Sequence, residues 1–309
     1  MTTAVVFAYS EVGMRCLRVL LRHGFDVQKV FSHEDDPAEL RWYGSVAEVA
    51  RENHLALLTP TDPNVPMWIN EVAQLRPDFL FSFYYRHLLC DELLATARQG
   101  ALNMHGSLLP KYRGRAPVNW AIIHGESETG ASLHYMHSKP DAGPLVAQER
   151  VPIAINDTGL DVSLKVARAA ESLLDRCLPD LIDGRATAKP LDLASGSYFG
   201  RRRPEDGRIR WNAPAMEIHN LIRAVAPPFP GAFATHGAHT FRLLGSVYRG
   251  ERVRFQQSAP CLYVDDLGLH LDCVDGQRLH LTHVELDGDL LMASSFVARC
   301  GTAPYLLQS

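Results

Sequence analysis

The sequence predicts an α/β domain built on a parallel sheet, followed by a small antiparallel β-barrel domain. Three observations carry that expectation. Apolar strand-like runs alternate with helical patterns from Thr3 to His105, as in a sheet flanked by helices on both faces. A stretch rich in Pro, Gly, Ser and Arg, "KPLDLASGSYFGRRRPEDGRI", has the composition of an inter-domain linker. Beyond it, short strand-like runs follow one another closely, the pattern of a barrel. The expected domains are residues 1–200 and 201–309.

"TAVVFAY" is a β-branched and aromatic first strand. In "GMRCLRVLLRHG", Met14, Leu17, Leu20 and Leu21 recur at helical spacing and Gly24 closes the helix. "DVQKVFS" reads as the second strand, "YGSVAEVARENHL" as a helix and "ALLTP" as a strand. "VPMWINEVAQLRP" is a further helix, "DFLFSFYY" a buried strand and "CDELLATARQG" another helix. "ALNMH" is a strand whose end carries Asn103 and His105, which share a face because strand side chains alternate. "TGLDVSLKVARAAESLLDRCLPDLIDG" is a long amphipathic helix closed by Gly184. After the linker come one helix, "PAMEIHNLIRAV", a Pro-rich turn, "APPFPGAF", and the strand-like runs "HTFRLLGSV", "CLYVDD", "LGLHLDCV" and "RLHLTHVEL".

A chain of 309 residues with 46% apolar and 21% charged residues is ordinary for a globular protein of two domains. Its net charge of −4 supplies no overall basic field, which argues against nucleic acid as the main partner. No apolar run is long enough to span a membrane. The start reads as a strand and not as a signal peptide. The six cysteines form no C-x-x-C pair and read as reduced thiols of a cytoplasmic protein.

"NMHGSLLPKYRGRAPVNW", from Asn103 to Trp120, is chemically unlike its surroundings. An amide N–H can donate to an oxygen gaining negative charge, and an imidazole beside it can move a proton. The usual third partner is a carboxylate that orients the ring. Asp141, in "HSKPDAGPLVAQ" between Pro140 and Gly143, is the candidate. Each of the three could equally cap a turn or satisfy a buried backbone group, and residue types alone leave both readings open. "KYRGRAP" suits an anionic ligand such as phosphate, or a solvated loop. With no G-x-S-x-G, covalent catalysis is not favoured. His134 and His137 in "HYMH" face opposite ways on a strand, so no metal is expected. His23, His33, His54 and the C-terminal histidines read as surface residues.

The segment "NMHGSLLPKYRGRAPVNWAIIHGESETGASLHYM", with "DAGPLVAQ" after it, resembles the signature of formyltransferases that use 10-formyltetrahydrofolate. "FAYSEVG", "WYGSVAEVA", "FSFYYRHLL", "YFGRRRPEDG" and "IRAVAPPFPGAF" extend the likeness over nearly the whole chain. Within that group it is most similar to the formyltransferase domain of the bifunctional lipid A modification enzyme, which formylates UDP-4-amino-4-deoxy-L-arabinose. The resemblance implies a Rossmann-like domain followed by an OB-like barrel. It also implies that Asn103 stabilises the transition state, that His105 is the proton donor and that Asp141 tunes His105. Folate contacts are implied at His87, Leu88, Leu89, Arg115, His137, Ser138, Lys139, Pro140 and Asp141. For Leu88 and Leu89 the competing reading is core packing. Arg113, Arg201, Arg202 and Arg203 are candidate contacts for a nucleotide-sugar.

Three alternatives stand beside this one. A methionyl-tRNA formyltransferase shares the trio, but its phosphate-rich substrate needs cations. Here the loop "SHEDDPAEL" is acidic, and Arg115 stands where the tRNA enzymes carry a small apolar residue after "YRG". Formyltransferases acting on dTDP- or GDP-linked amino sugars are a second alternative. A non-catalytic folate or nucleotide-sugar binding protein is the third, and it has no need of an intact trio. Phe229, where the family often has Trp, and the additional Arg203 depart from the pattern.

Overall fold

A computed structural model describes residues 1–37, 40–236, 239–253, 259–301, 303 and 305–307. Ala38 and Glu39 of the acidic "SHEDDPAEL" loop lie outside the described residues. The chain divides into two compact units. The first comprises Met1–Pro117, Glu128–Pro152 and Ser163–Gly200, and the second Val118–Ser127, Ile153–Val162 and Arg201–Ser309.

In the first stretch of chain, β1 (Thr3–Ala8), α1 (Ser10–Arg22), β2 (Asp26–Phe31), α2 (Val46–Glu52), β3 (Leu57–Leu58), α3 (Pro66–Leu75), β4 (Phe79–Phe83), α4 (Asp91–Leu94) and β5 (Gly100–His105) alternate. Then come β6 (Arg113–Gly114), α5 (Pro117–Ile123), β7 (Glu128–Tyr135), β8 (Leu145–Pro152), α6 (Gly159–Ile182) and β9 (Tyr198–Phe199). The main sheet has the order β3-β2-β1-β4-β5-β7-β8. Strands β1 to β5 pair in parallel, whereas β7 pairs antiparallel with both β5 and β8. The expected parallel sheet therefore has an antiparallel edge. The connection from 106 to 127 carries β6 and α5 before the chain returns antiparallel as β7.

Aromatic side chains fill this core. Phe7 stacks on Phe31 at 4.6 Å, and Phe79, Phe81 and Phe83 are fully buried. Each such ring contributes ~2–3 kcal/mol of transfer free energy. Pro66 opens α3 at a position where its missing N–H costs nothing, and Arg76 closes it in the left-handed conformation. The helix expected over 90–100 is only the single turn α4. There Thr96 Oγ1 donates to the Leu93 carbonyl, offering the backbone an alternative to helix.

The expected linker is not free chain. Lys189 bridges Leu145, and β9 pairs in parallel with β6. The second unit holds α7 (Ala215–Ala224), β10 (Ala232–His236), β11 (His239–Arg252), β12 (Cys261–Asp265), β13 (Gly268–Asp272), β14 (Gln277–Leu286), β15 (Asp289–Leu291), α8 (Ala293–Cys300) and β16 (Tyr305–Leu306). Its antiparallel order is β10-β11-β14-β13-β12-β16, an open half-barrel path among the described residues. Register shifts between Leu243 and Ser246 mark bulges where β11 can bend.

Several histidines expected at the surface are inside. His219 is fully buried on α7, held by Ser246 Oγ at 2.8 Å and the Ile155 carbonyl at 2.9 Å. Burial, reinforced by the charge of Arg223 and opposed by the Ile155 carbonyl, pushes its pKa down to about 4. His270 and His280 are also buried. A neutral imidazole with partners is no more costly to bury than an amide, which is why residue type misleads here.

Candidate active site

Asn103 and His105 lie at the carboxyl end of β5, where parallel sheets place their ligands. The antiparallel register sets Asn103 opposite His134 and His105 opposite Ser132 of β7. Cross-strand partners share a face, so β7 backs both candidate residues. Ser132 Oγ donates to the Ser107 carbonyl at 2.6 Å and accepts from the Leu109 amide at 3.2 Å. Gln148 Nε2 donates to Ser132 Oγ at 2.8 Å and to the Leu109 carbonyl at 2.9 Å. The loop after His105 is thereby fixed through its Leu109–Pro110 cis peptide.

The linker segment holds the loop from its other side. The Tyr112 amide donates to Ser197 Oγ at 2.8 Å, and the Arg113 amide to the Ser197 carbonyl at 3.0 Å. The Tyr112 ring stacks on Phe199. Gly114, at φ 96°, lies so close to β9 that an added Cβ would sit 2.1 Å from the Phe199 carbonyl oxygen. Only glycine fits there.

Asp141 stands on the second loop at φ 51°, a left-handed conformation that Asp tolerates better than most residues. Its Oδ2 accepts the Gly114 amide at 2.8 Å. Its Oδ1 faces Asn103 Nδ2 at 3.3 Å, His105 Nδ1 at 3.5 Å and His134 Nε2 at 3.5 Å. Burial alone pushes this carboxyl up. The charge of His105 and the hydrogen bond from the Gly114 amide outweigh it, holding the group well below the usual carboxylate range. The three sequence-derived residues thus converge on one ionised oxygen. His105 Nε2 also meets the Tyr112 carbonyl at 2.8 Å, so both ring nitrogens face oxygen atoms. A neutral ring has one N–H and can satisfy only one of them.

One residue after Gly114, Arg115 Nη2 donates to the Arg86 carbonyl at 2.8 Å. Both arginines line a cleft of about 520 Å³ with His33, Glu34, Thr59, Pro60, Thr61 and His87. That volume is within the range of small-molecule sites. His33 is a second correction to the surface reading, because it stacks on Tyr85 at 4.2 Å. Its Nε2 accepts the Arg86 amide at 3.0 Å, which requires an unprotonated nitrogen. Burial, with the charges of His87 and Arg86, lowers its pKa to about 4 and keeps that acceptor available.

The other candidates separate. Leu89 packs against the core of the first unit, but Leu88 is 65% exposed, so core packing does not explain it. His137, Ser138 and Lys139 are exposed and Pro140 is half-buried. Arg113 is buried, and its Nε makes no hydrogen bond among the described residues. Arg201 to Arg203 belong to the second unit. Arg201 and Arg203 are exposed, while Arg202 is half-buried over the Trp120 ring at 5.8 Å. Burial lowers the Arg202 pKa, with Asp206 opposing. Among the described residues no group of three or more His, Cys, Asp or Glu side chains could hold a metal ion.

Sequence reasoning missed His134, Ser132 and His33 as parts of this arrangement. The available signal was the alternation of Ser132 and His134, which matches that of Asn103 and His105 once the strands are paired antiparallel.

The family described as formyl transferase matches residues 10–178, and the one described as formyl transferase, C-terminal domain, matches residues 202–301. Among solved structures, an N-formyltransferase from Helicobacter canadensis in complex with folinic acid and dTDP-3-aminofucose is similar with a TM-score of 0.74. It is 22% identical, and the match covers 91% of this chain and 99% of that one. WlaRD, a sugar 3N-formyl transferase solved with dTDP and 5-N-formyl-THF, has a TM-score of 0.71 at 20% identity, covering 90% and 96%. Methionyl-tRNA formyltransferase from Clostridium thermocellum has a TM-score of 0.58 at 14% identity, covering 81% and 94%. At these identities the likeness is one of fold.

Proposed function

The chain belongs to the formyl transferase family, and on that premise we propose that it moves a formyl group from 10-formyltetrahydrofolate to the 4-amino group of a nucleotide-linked sugar, UDP-4-amino-4-deoxy-L-arabinose. The observation that carries the chemistry is the single Asp141 oxygen faced by Asn103, His105 and His134. Attack of an uncharged amine on the formyl carbon forms a C–N bond and leaves negative charge on the formyl oxygen. Asn103 Nδ2, whose present bonds are long at 3.2 and 3.3 Å, supplies an N–H to that oxyanion. The bond to the folate nitrogen then breaks, and that nitrogen takes up the proton that the attacking amine nitrogen gives up. His105 delivers it after exchanging the Tyr112 carbonyl for the substrate, and the ionised Asp141 keeps the ring in place.

The donor fits the residues present. Leu88 leaves apolar surface next to main-chain groups at 86–89, and His87 and Arg115 line the cleft beside it. Arg113 is a buried guanidinium group whose Nε makes no hydrogen bond among the described residues, as phosphate recognition would use. The acceptor rests on the sequence segments that resemble the lipid A enzyme, and the nucleotide-sugar class is supported by the dTDP-3-aminofucose and the dTDP of the two similar structures. Formyl transfer measured in parallel to UDP-, dTDP- and GDP-linked 4-amino sugars and to charged initiator tRNA tests the reading. The UDP sugar should give the highest kcat/KM. Preference for the tRNA, or no transfer to any of the four, overturns it.

A further inference from the structure

His134 is the least accessible member of the cluster, 1% exposed, and no role was expected of it. Hydrogen accounting fixes its state. Its Nδ1 lies 2.8 Å from the Tyr135 carbonyl, which only accepts, so Nδ1 carries the hydrogen. The Asn103 amide atom facing the Asp141 carboxylate must be the nitrogen, because an amide oxygen there would set two acceptors against each other. The same nitrogen lies 3.2 Å from His134 Nε2. Nε2 therefore has to be a lone-pair acceptor, and His134 in this arrangement is the neutral Nδ1–H form. Both Asn103 N–H bonds are thus accounted for, one to Asp141 Oδ1 and one to His134 Nε2. A charged His134 would set N–H against N–H and compete with Asn103 for Asp141 Oδ1, 3.5 Å away.

We propose that His134 is a positioning residue: its unprotonated Nε2, fixed from behind by the Tyr135 carbonyl, sets the rotamer and amide orientation from which Asn103 gives an N–H to the formyl oxyanion. The assignment rests on the formyl-transfer reading above. It makes His134 the tether and Asn103 the group that touches substrate. The cross-strand register of β5 and β7 makes the tether possible, since it sets the two residues side by side.

The test is a set of His134→Ala, His134→Gln, Asn103→Ala and the Asn103→Ala/His134→Ala double variant. Steady-state formyl transfer and donor binding are measured separately for each. Gln reaches with a neutral carbonyl oxygen toward the position of Nε2, so it keeps the acceptor and removes the ring. We expect His134→Ala to lower kcat on the order of tenfold, the rate equivalent of one lost neutral hydrogen bond, with donor affinity and KM within about twofold. His134→Gln should recover most of that loss. The double variant should be no slower than Asn103→Ala alone, because a residue acting through Asn103 has nothing left to act on. Unchanged kcat in His134→Ala, equal losses in Ala and Gln, or multiplicative losses in the double variant each overturn the proposal while the wild-type protein still transfers formyl. A wild-type protein that transfers none to any amine overturns the parent reading instead. If His134→Ala does not fold, the Gln variant and the separate donor-binding measurement still decide.

Discussion

Two imidazole–carboxylate pairs, each with a buried imidazole, can be set side by side. In the second unit, His270 Nε2 lies 2.6 Å from Asp265 Oδ1, a shorter contact than the 3.5 Å between His105 and Asp141. By distance alone the first pair looks like the stronger candidate for chemistry. Its members, however, belong to adjacent strands of one hairpin, β12 and β13, and His270 is flanked edge-on by His280 and tilted against Tyr263. The carboxylate of Asp141 gathers groups from β5, β6 and β7, and its own backbone adopts a left-handed conformation. A local pair stiffens a turn. A convergent set, with an amide on the same oxygen, is arranged to act on something else.

The contrast is sharpest in turnover. Asn103→Ala and His105→Ala should each lower kcat by about 10²–10⁴, the range for losing an oxyanion donor or a positioned acid. His270→Ala should leave kcat within about twofold and show its effect in urea unfolding, as a loss of roughly 2–4 kcal/mol for a hydrogen bond and the cavity left by a fully buried ring. A kcat loss in His270→Ala equal to that of His105→Ala would erase the distinction. Next in size is the pair of leucines. Leu89→Ala should destabilise by roughly 2 kcal/mol, the lower end for a core leucine, because Leu89 is only partly buried. Leu88→Ala should change stability by less than about 0.5 kcal/mol, as expected at the surface, and weaken donor binding. Equal effects on stability would return Leu88 to the core.

The smallest effect is the pH dependence of stability. The folded Asp141 carboxyl is held below its unfolded value, so its contribution is fully present above about pH 4, the unfolded carboxylate value. It is lost as pH falls through the folded value. The difference in urea midpoint between wild type and Asp141→Asn should therefore be constant from neutrality down to about pH 5 and shrink only below about pH 4. A difference that shrinks near pH 6 would mean that Asp141 is not held ionised. The acid limb of the rate profile should accordingly not belong to this carboxyl.

Much of the frame was legible in the sequence because periodicity is local. The strands from "TAVVFAY" to "ALNMH" fall where alternation and β-branched runs put them. The trio was legible because Asn103 and His105 share a face by simple alternation. The antiparallel edge was not, since nothing local in "ETGASLHY" says which way it pairs. Without that register, His134 and Ser132 look like two residues of an isolated strand. The buried histidines of the second unit were illegible for a related reason: their partners, such as Ser246 and Ile155 for His219, are distant in sequence. The segment 189–200 reads as linker by composition, yet Ser197 and Phe199 brace the loop that carries Gly114.

Single-turnover formyl transfer by Asp141→Asn tests the central claim most directly, because the substitution keeps size and removes only charge. With donor affinity measured alongside, binding should stay within about threefold while the transfer rate falls by about 100-fold or more, the loss expected when a positioned acid loses its carboxylate. Transfer at the wild-type rate would mean that the oxygen shared by Asn103, His105 and His134 has no part in the chemistry.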